Sequence, residues 1–313
     1  MVHGPTTYPS KGRCIYCGRA DVKLTDEHIV PYGLGGVHIL SGASCLDCNK
    51  TTARFEQDVQ RRLWKDARIS YGSPTRRKRE RSRNTHIDMP AVNEGPGLRV
   101  PASEYPAVMV FYQMGQAGAL AGLQYSVDTS TAWMLAAIID QRRISNFRAK
   151  HGTEPTASFV HLPDSFARML VKIAYGQVLT SLDLGDFRPY CLPFIMGSLS
   201  NLSHIVGSCK GAIEPGLGYR LRTYAFGRED RMFLVAEVHL LANNDTPVYH
   251  VLVGDVAGQA KVERIRAKLS GTDVTILGPE NPSQVIPPWA PTTWPTMLES
   301  AEVRAPQSLL LAP

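Results

Sequence analysis

The sequence predicts an α+β protein in two parts: a small zinc-stapled N-terminal module, then a larger α+β domain with a mainly antiparallel sheet and two helices. Three observations carry that reading. Two Cys-x-x-Cys pairs, Cys14/Cys17 and Cys45/Cys48, fall within the first 50 residues. Between residues 204 and 255, short apolar runs (HIVGSC, YRLRTYAFG, MFLVAEVHLLA, VYHVLVGD) are separated by turn signals such as Asn243-Asn244-Asp245. That is the pattern of strands in an antiparallel sheet. Two segments have helical apolar spacing: 131–147, through Trp133, Ala137 and Ile144, and 163–182, where Met169, Leu170, Ile173 and Ala174 share a face. Pro163 and Asp164 suit the start of the second helix.

Each Cys-x-x-Cys pair forms a knuckle that places both sulfurs on one side of a metal, and two knuckles complete a closed tetrahedral zinc shell. Cys14, Cys17, Cys45 and Cys48 are the predicted ligands. The loop between the knuckles is longer than a simple ribbon needs. It holds an acid, a histidine and a glycine turn, Glu27-His28 and Gly35-Gly36, and Asn49 directly follows the last cysteine.

At these residues the chain resembles the HNH endonuclease family, with its ββα-metal fold. The match is EHIVPYGLGG, then ASCLDCNKTTARFE, bracketed by CIYCG, and it covers roughly the first 65 residues. The resemblance implies that Glu27 is the acidic ligand of a catalytic Mg²⁺ or Mn²⁺, Asn49 its final ligand and His28 the general base. It departs from the family pattern twice. Glu27 stands where Asp is usual, and Leu40 falls near the middle Asn, with His38 and Ser41 as neighbours that could supply its hydrogen bond. The ββα reading takes VKLTDEHIV and VHIL as strands and about 45–68 as the helix, with Phe55, Val59 and Leu63 as its buried stripe. Glu56 reads as a structural salt-bridge partner rather than a ligand.

The implied activity is metal-dependent hydrolysis of DNA phosphodiester bonds. The divalent ion would act as a Lewis acid, and imidazole, which titrates near neutrality, would deprotonate the attacking water. A zinc closed by four thiolates has no open position and takes no part in the chemistry. Two alternatives stay open: a zinc-stabilised DNA-binding or regulatory module without catalysis, and an HNH enzyme that cuts RNA. A nuclease module joined to a large second domain also fits a bacterial defence or restriction nuclease, by analogy of architecture alone.

Composition bounds the rest. At 313 residues and 43% hydrophobic content the chain has room for two domains. The expected division is 1–70 for the module, 71–88 for a basic arm, 89–278 for an α+β domain that selects, senses or dimerises, and 279–313 for a Pro-rich tail. Net charge is +6, and five of those charges lie in RRKRERSR, residues 76–83. Arg76, Arg77, Lys78, Arg79, Arg81 and Arg83 are therefore the predicted phosphate-binding arm. The partners expected are DNA and a second copy or partner protein through the C-terminal domain. Thiols placed in knuckles, with Cys191 and Cys209 left over, point to a reducing, cytoplasmic setting. The most apolar run, PAVMVFYQMGQAGALAGL, is broken by Gln113, Gln116 and glycines and is too polar to predict a membrane span.

Overall fold

The computed structural model describes residues 5–74, 85–89, 97–270 and 274–277. Near the N-terminus, β1 (Thr6–Tyr8), β2 (Leu24–His28) and β3 (His38–Cys45) form a sheet in the order β1-β3-β2. β2 runs antiparallel to β3, and β1 parallel to it. β3 feeds directly into α1 (Leu46–Asp58), so the module is the expected ββα unit with one extra strand. The helix predicted over 45–68 is broken. α1 gives way to a π-helical turn over Val59–Leu63 and then to a short α2 (Lys65–Ser70). The predicted stripe survives the change of pitch, with Phe55, Val59 and Leu63 all buried.

Two small hairpins follow: β4 (His86–Met89) with β5 (Leu98–Pro101), and β6 (Met109–Gln113) with β7 (Met134–Ile138). The single helix predicted over 131–147 is instead strand β7 followed by α3 (Gln141–His151). Asp140 sets the boundary, because its side chain caps α3 by accepting from the Arg143 backbone N–H at 3.1 Å. The MLAAI run before it pairs along β6.

α4 (Pro163–Val178) starts at Pro163 as predicted and is the axis of the molecule. On one side it meets a six-stranded sheet in the order β13-β10-β11-β12-β8, with β9 also on β12. Those strands are β8 (Arg188–Pro189), β9 (Val206–Cys209), β10 (Tyr219–Gly227), β11 (Arg231–Leu240), β12 (Val248–Ala257) and β13 (Val274–Leu277). Phe166 of α4 meets Tyr249 of β12 edge-on at 5.4 Å. On its other side α4 meets the N-terminal module. Tyr175 donates to the Ile15 carbonyl at 2.8 Å, and Gly176 leaves room for Ile29. Trp64, 1% exposed, packs on Phe111 and Phe166 and donates to the Val110 carbonyl. One hydrophobic cluster therefore runs from the module through α4 into the sheet.

The body holds more than the two predicted helices. A short α5 (Leu192–Met196) packs on α4, where Arg168 donates to the Phe194 carbonyl at 3.0 Å, and α6 (Gln259–Leu269) follows β12. α6 buries Val262, Ile265 and Leu269, a spacing of three and four residues that is legible in the sequence.

His204 and His250 lie in this core. Burial pushes His204 down to about 4 and His250 down to about 3. His250 Nε2 also accepts from the Ala117 backbone N–H at 3.3 Å, which requires the neutral ring. Both rings thus titrate below the unfolded value of about 6.5, so the unfolded chain takes up protons first as pH falls. The stability they contribute is complete above about 6.5 and is lost as pH falls towards their folded values. The urea midpoint of the chain should therefore drop between about pH 7 and about pH 5, above the range of ordinary carboxylates. A midpoint that stays level across that window would contradict neutral, buried histidines.

Candidate metal centre and active site

The inner knuckle sits at a strand-to-helix junction. Cys45 ends β3 and is the N-cap of α1, and Cys48 lies in the first turn of that helix. The outer knuckle is a turn closed by the Gly18 N–H on the Cys14 carbonyl at 2.9 Å, with Gly18 in the left-handed region at φ 75°. The two meet: the sulfurs of Cys14, Cys17, Cys45 and Cys48 all lie within 4.8 Å of one another, and Cys17 Sγ is 3.8 Å from Cys45 Sγ. A tetrahedral zinc with bonds of about 2.3 Å has sulfur–sulfur edges of about 3.8 Å, so donor type and spacing both fit zinc.

Arg19, which the sequence did not single out, reaches over this cluster. It donates to Cys45 Sγ at 3.2 Å and Cys17 Sγ at 3.4 Å, and pairs with Asp47 at 2.9 Å. Burial pushes the Cys17 thiol up, but Arg19 outweighs it and the thiol comes down to about 6. Cys48 goes the other way, raised by its burial and then by the neighbouring thiols. Four thiolates this close need a cation of higher charge than one guanidinium.

The end of β2 carries the acid–histidine pair. The β2–β3 ladder shifts register between Thr25 and Glu27, where Asp26 accepts from the Gly42 N–H at 2.9 Å. Side chains alternate across a strand, so Glu27 and His28 leave β2 on opposite faces. Glu27 turns inward and is 5% exposed. His28 is half-buried, its ring edge-on to Tyr32 at 5.7 Å and its Nδ1 3.3 Å from the Gly36 carbonyl. A carbonyl can only accept, so Nδ1 carries the proton and the lone pair of the neutral ring is on Nε2.

The turn that supplies this carbonyl is closed by backbone. Ile29 N–H donates to the His38 carbonyl at 3.0 Å, and Gly36 N–H to the Pro31 carbonyl at 3.3 Å. Neither neighbouring side chain substitutes for an asparagine here. His38 Nδ1 is 2.9 Å from the Tyr8 hydroxyl, and Ser41 donates to Asp26. Leu40, paired with Glu27 across the ladder, is 1% exposed and part of the core.

Asn49 is half-buried in the first turn of α1. Glu56 lies seven residues on, two turns along the same face. Between this face and β2 stands a residue from the other half of the chain, Lys172 of α4. Its ammonium is 2.7 Å from Glu27 Oε1 and 2.8 Å from Glu56 Oε1, and it donates to the His28 and Ile29 carbonyls. Glu56 is thus the salt-bridge partner it was read as. Burial would push the Lys172 ammonium down, but Glu27 and Glu56 outweigh it and bring it up to about 12. Glu56 is pushed up by burial, against Lys172. Glu27 Oε2 is enclosed and has no hydrogen-bond partner among the described residues. Sequence reading missed Lys172, although a lysine between Val171 and Ile173 on an otherwise apolar helix is a signal: a buried charge must be paired.

The predicted arm, Arg76, Arg77, Lys78, Arg79, Arg81 and Arg83, and the predicted tail over 279–313 lie outside the described residues. Among the described residues no helix is long and apolar enough to cross a membrane.

Comparison with known proteins agrees with this geometry. Residues 14–66 match the HNH endonuclease family. A stretch of 39 residues is 41% identical to the uncharacterized protein YisB of Bacillus subtilis (strain 168), covering 12% of this chain and 39% of that protein. The chain thus spans about two fifths of that relative's length. No solved structure matches.

Proposed function

We propose that this chain, whose residues 14–66 form an HNH endonuclease module, is a metal-dependent endonuclease that hydrolyses DNA phosphodiester bonds. The observation that carries the reading is the hairpin end: His28, with its proton fixed on Nδ1 by the Gly36 carbonyl, follows an inward-turned Glu27 on a strand that packs against α1. His28 Nε2 is the atom that takes the proton of the attacking water. The Gly36 carbonyl, a backbone group, holds the Nδ1 side of the ring.

Glu27 and Asn49, one carboxylate and one amide, are the donors for Mg²⁺ or Mn²⁺, hard ions that keep several of their own waters. Glu27 Oε2, buried and without a hydrogen-bond partner among the described residues, supports that assignment. When bound, the ion supplies Lewis-acid stabilisation of the charge on the phosphoryl and leaving 3′ oxygens. A zinc on the four cysteines would hold Cys45 and Cys48 at the head of α1 and so would set where Asn49 stands relative to β2. The basic run at 76–83 is the proposed phosphate-binding arm.

A 5′-labelled DNA duplex and its RNA counterpart test the reading together. Water attack with departure of the 3′-oxygen leaves a 5′-phosphate and a 3′-hydroxyl. DNA products with those ends, formed only with divalent metal, are expected. Cleavage confined to RNA would move the substrate to RNA. A second reading, a zinc-stabilised nucleic-acid-binding module without catalysis, is favoured by one observation: Glu27 Oε1 is already engaged by Lys172. Salt-sensitive DNA binding that Glu27→Gln and His28→Ala leave unchanged, with no cleavage, would establish it.

The glycine turn offers a separate check. A Cβ on Gly36 would run into the Val30 carbonyl, so Gly36→Ala must move the turn and the carbonyl that orients His28. Cleavage should fall about 100-fold, the scale of a catalytic group misplaced by about 1 Å, with zinc content unchanged. Undiminished cleavage would show that this carbonyl does not orient the base.

A further inference from the structure

The Lys172 ammonium has the surroundings of a bound cation. Two carboxylate oxygens, from Glu27 and Glu56, and two backbone carbonyl oxygens, from His28 and Ile29, face it, and its side chain is 1% exposed. These oxygens come from β2, the residue after it and α1, the two elements that flank the metal position of the proposed nuclease site. The group is also short of positive charge. Two carboxylates face one ammonium, which engages one oxygen of each, and Glu27 Oε2 is enclosed with no hydrogen-bond partner among the described residues. Buried charges that are not fully compensated are costly, so this cluster favours a further cation or a rearrangement that admits one.

We propose that Lys172 is an internal competitor of the divalent ion. In the form described here its ammonium holds Glu27 Oε1, so that the carboxylate is shared with Lys172, and full metal loading requires Glu27 to be released from Lys172. This inference rests on the reading of Glu27 as a metal ligand. Its consequence is that the second half of the chain restrains the nuclease site. Lys172 rides on α4, which also packs on the six-stranded sheet, so whatever shifts α4 relative to β2 changes how readily Glu27 is released. An isolated 1–70 module would lack this restraint, and also the Tyr175 and Gly176 contacts that cover Ile15 and Ile29.

The test is Mn²⁺ affinity, read by calorimetry on the full-length, zinc-loaded chain, with thermal melting and zinc content as controls of fold. Lys172→Met should bind Mn²⁺ about tenfold or more tightly than wild type, within the range by which partners of metal ligands alter affinity. Lys172→Met/Glu56→Gln guards against a folding defect. It removes one charge of each sign, and replacing a buried ion pair by neutral residues of similar volume is often tolerated. Its net charge equals that of wild type, so tighter binding there reports release of Glu27 rather than a change in the field. Unchanged or weaker Mn²⁺ binding in the double variant would overturn the competition, since a lysine that only supports the fold cannot weaken metal binding by its presence. Glu27→Gln separates this from failure of the function itself. If it leaves Mn²⁺ affinity untouched, Glu27 is not a ligand and the nuclease assignment of the site fails first.

Discussion

His28→Ala is expected to reduce DNA cleavage by about 10²–10⁴-fold, the usual contribution of a positioned general base. The half-buried ring touches Tyr32 and the Gly36 carbonyl, and it is not among the residues that fill the core. Its removal leaves the Lys172 contacts to the backbone carbonyl in place, so zinc content, melting temperature and DNA affinity should stay near wild type. His28→Asn is the sharper companion. It keeps a hydrogen-bonding group of similar reach but has no basic nitrogen, so it should be as inactive as alanine. A variant that cuts normally, or one that loses zinc, would assign His28 to structure instead.

The second large effect is at the zinc. Cys45→Ser removes a thiolate at the point where β3 becomes α1, the junction on which both the inner knuckle and Asn49 depend. Structural zinc sites in small domains contribute about 10–16 kcal/mol of apparent binding free energy, which is also folding free energy. The variant should therefore bind no zinc, and the damage should reach beyond the module. Ile15, between the outer knuckle cysteines, accepts from Tyr175, and Cys14, Cys45 and Cys48 belong to the same cluster as α4. A lowered melting temperature of the whole chain is expected, with chelator producing the same change in wild type. A full equivalent of zinc in Cys45→Ser would show that three thiolates suffice.

What the sequence revealed and what it hid follow from how far apart the interacting residues lie. The knuckles, the acid–histidine pair and the glycine turn are local, and spacing alone places them. β9 to β12 were legible because each is a short apolar run bounded by turn residues. The segment 134–138 was not, because Met, Leu and Ala favour a helix and only pairing with β6 makes it a strand. The break in the helix after Asp58 was equally hidden, since the apolar stripe continues through the π-turn. Lys172 was hidden most deeply. Its partners Glu27 and Glu56 lie over a hundred residues away, and no local pattern announces such a contact. Arg19 sits two residues from Cys17, yet what marks it is Asp47 and Cys45 on the far side of the hairpin.

The central claim is that this site hydrolyses phosphodiester bonds with a divalent ion, and supercoiled plasmid tests it most directly. Purified, zinc-loaded full-length protein is incubated with plasmid in Mg²⁺, in Mn²⁺ and without added divalent metal, beside His28→Ala. Nicked circles that form with either metal, and form neither without metal nor with His28→Ala, are the predicted result. Plasmid that stays supercoiled under every condition, while the folded protein retards it in a gel, would contradict the claim and leave a zinc-stabilised DNA-binding protein.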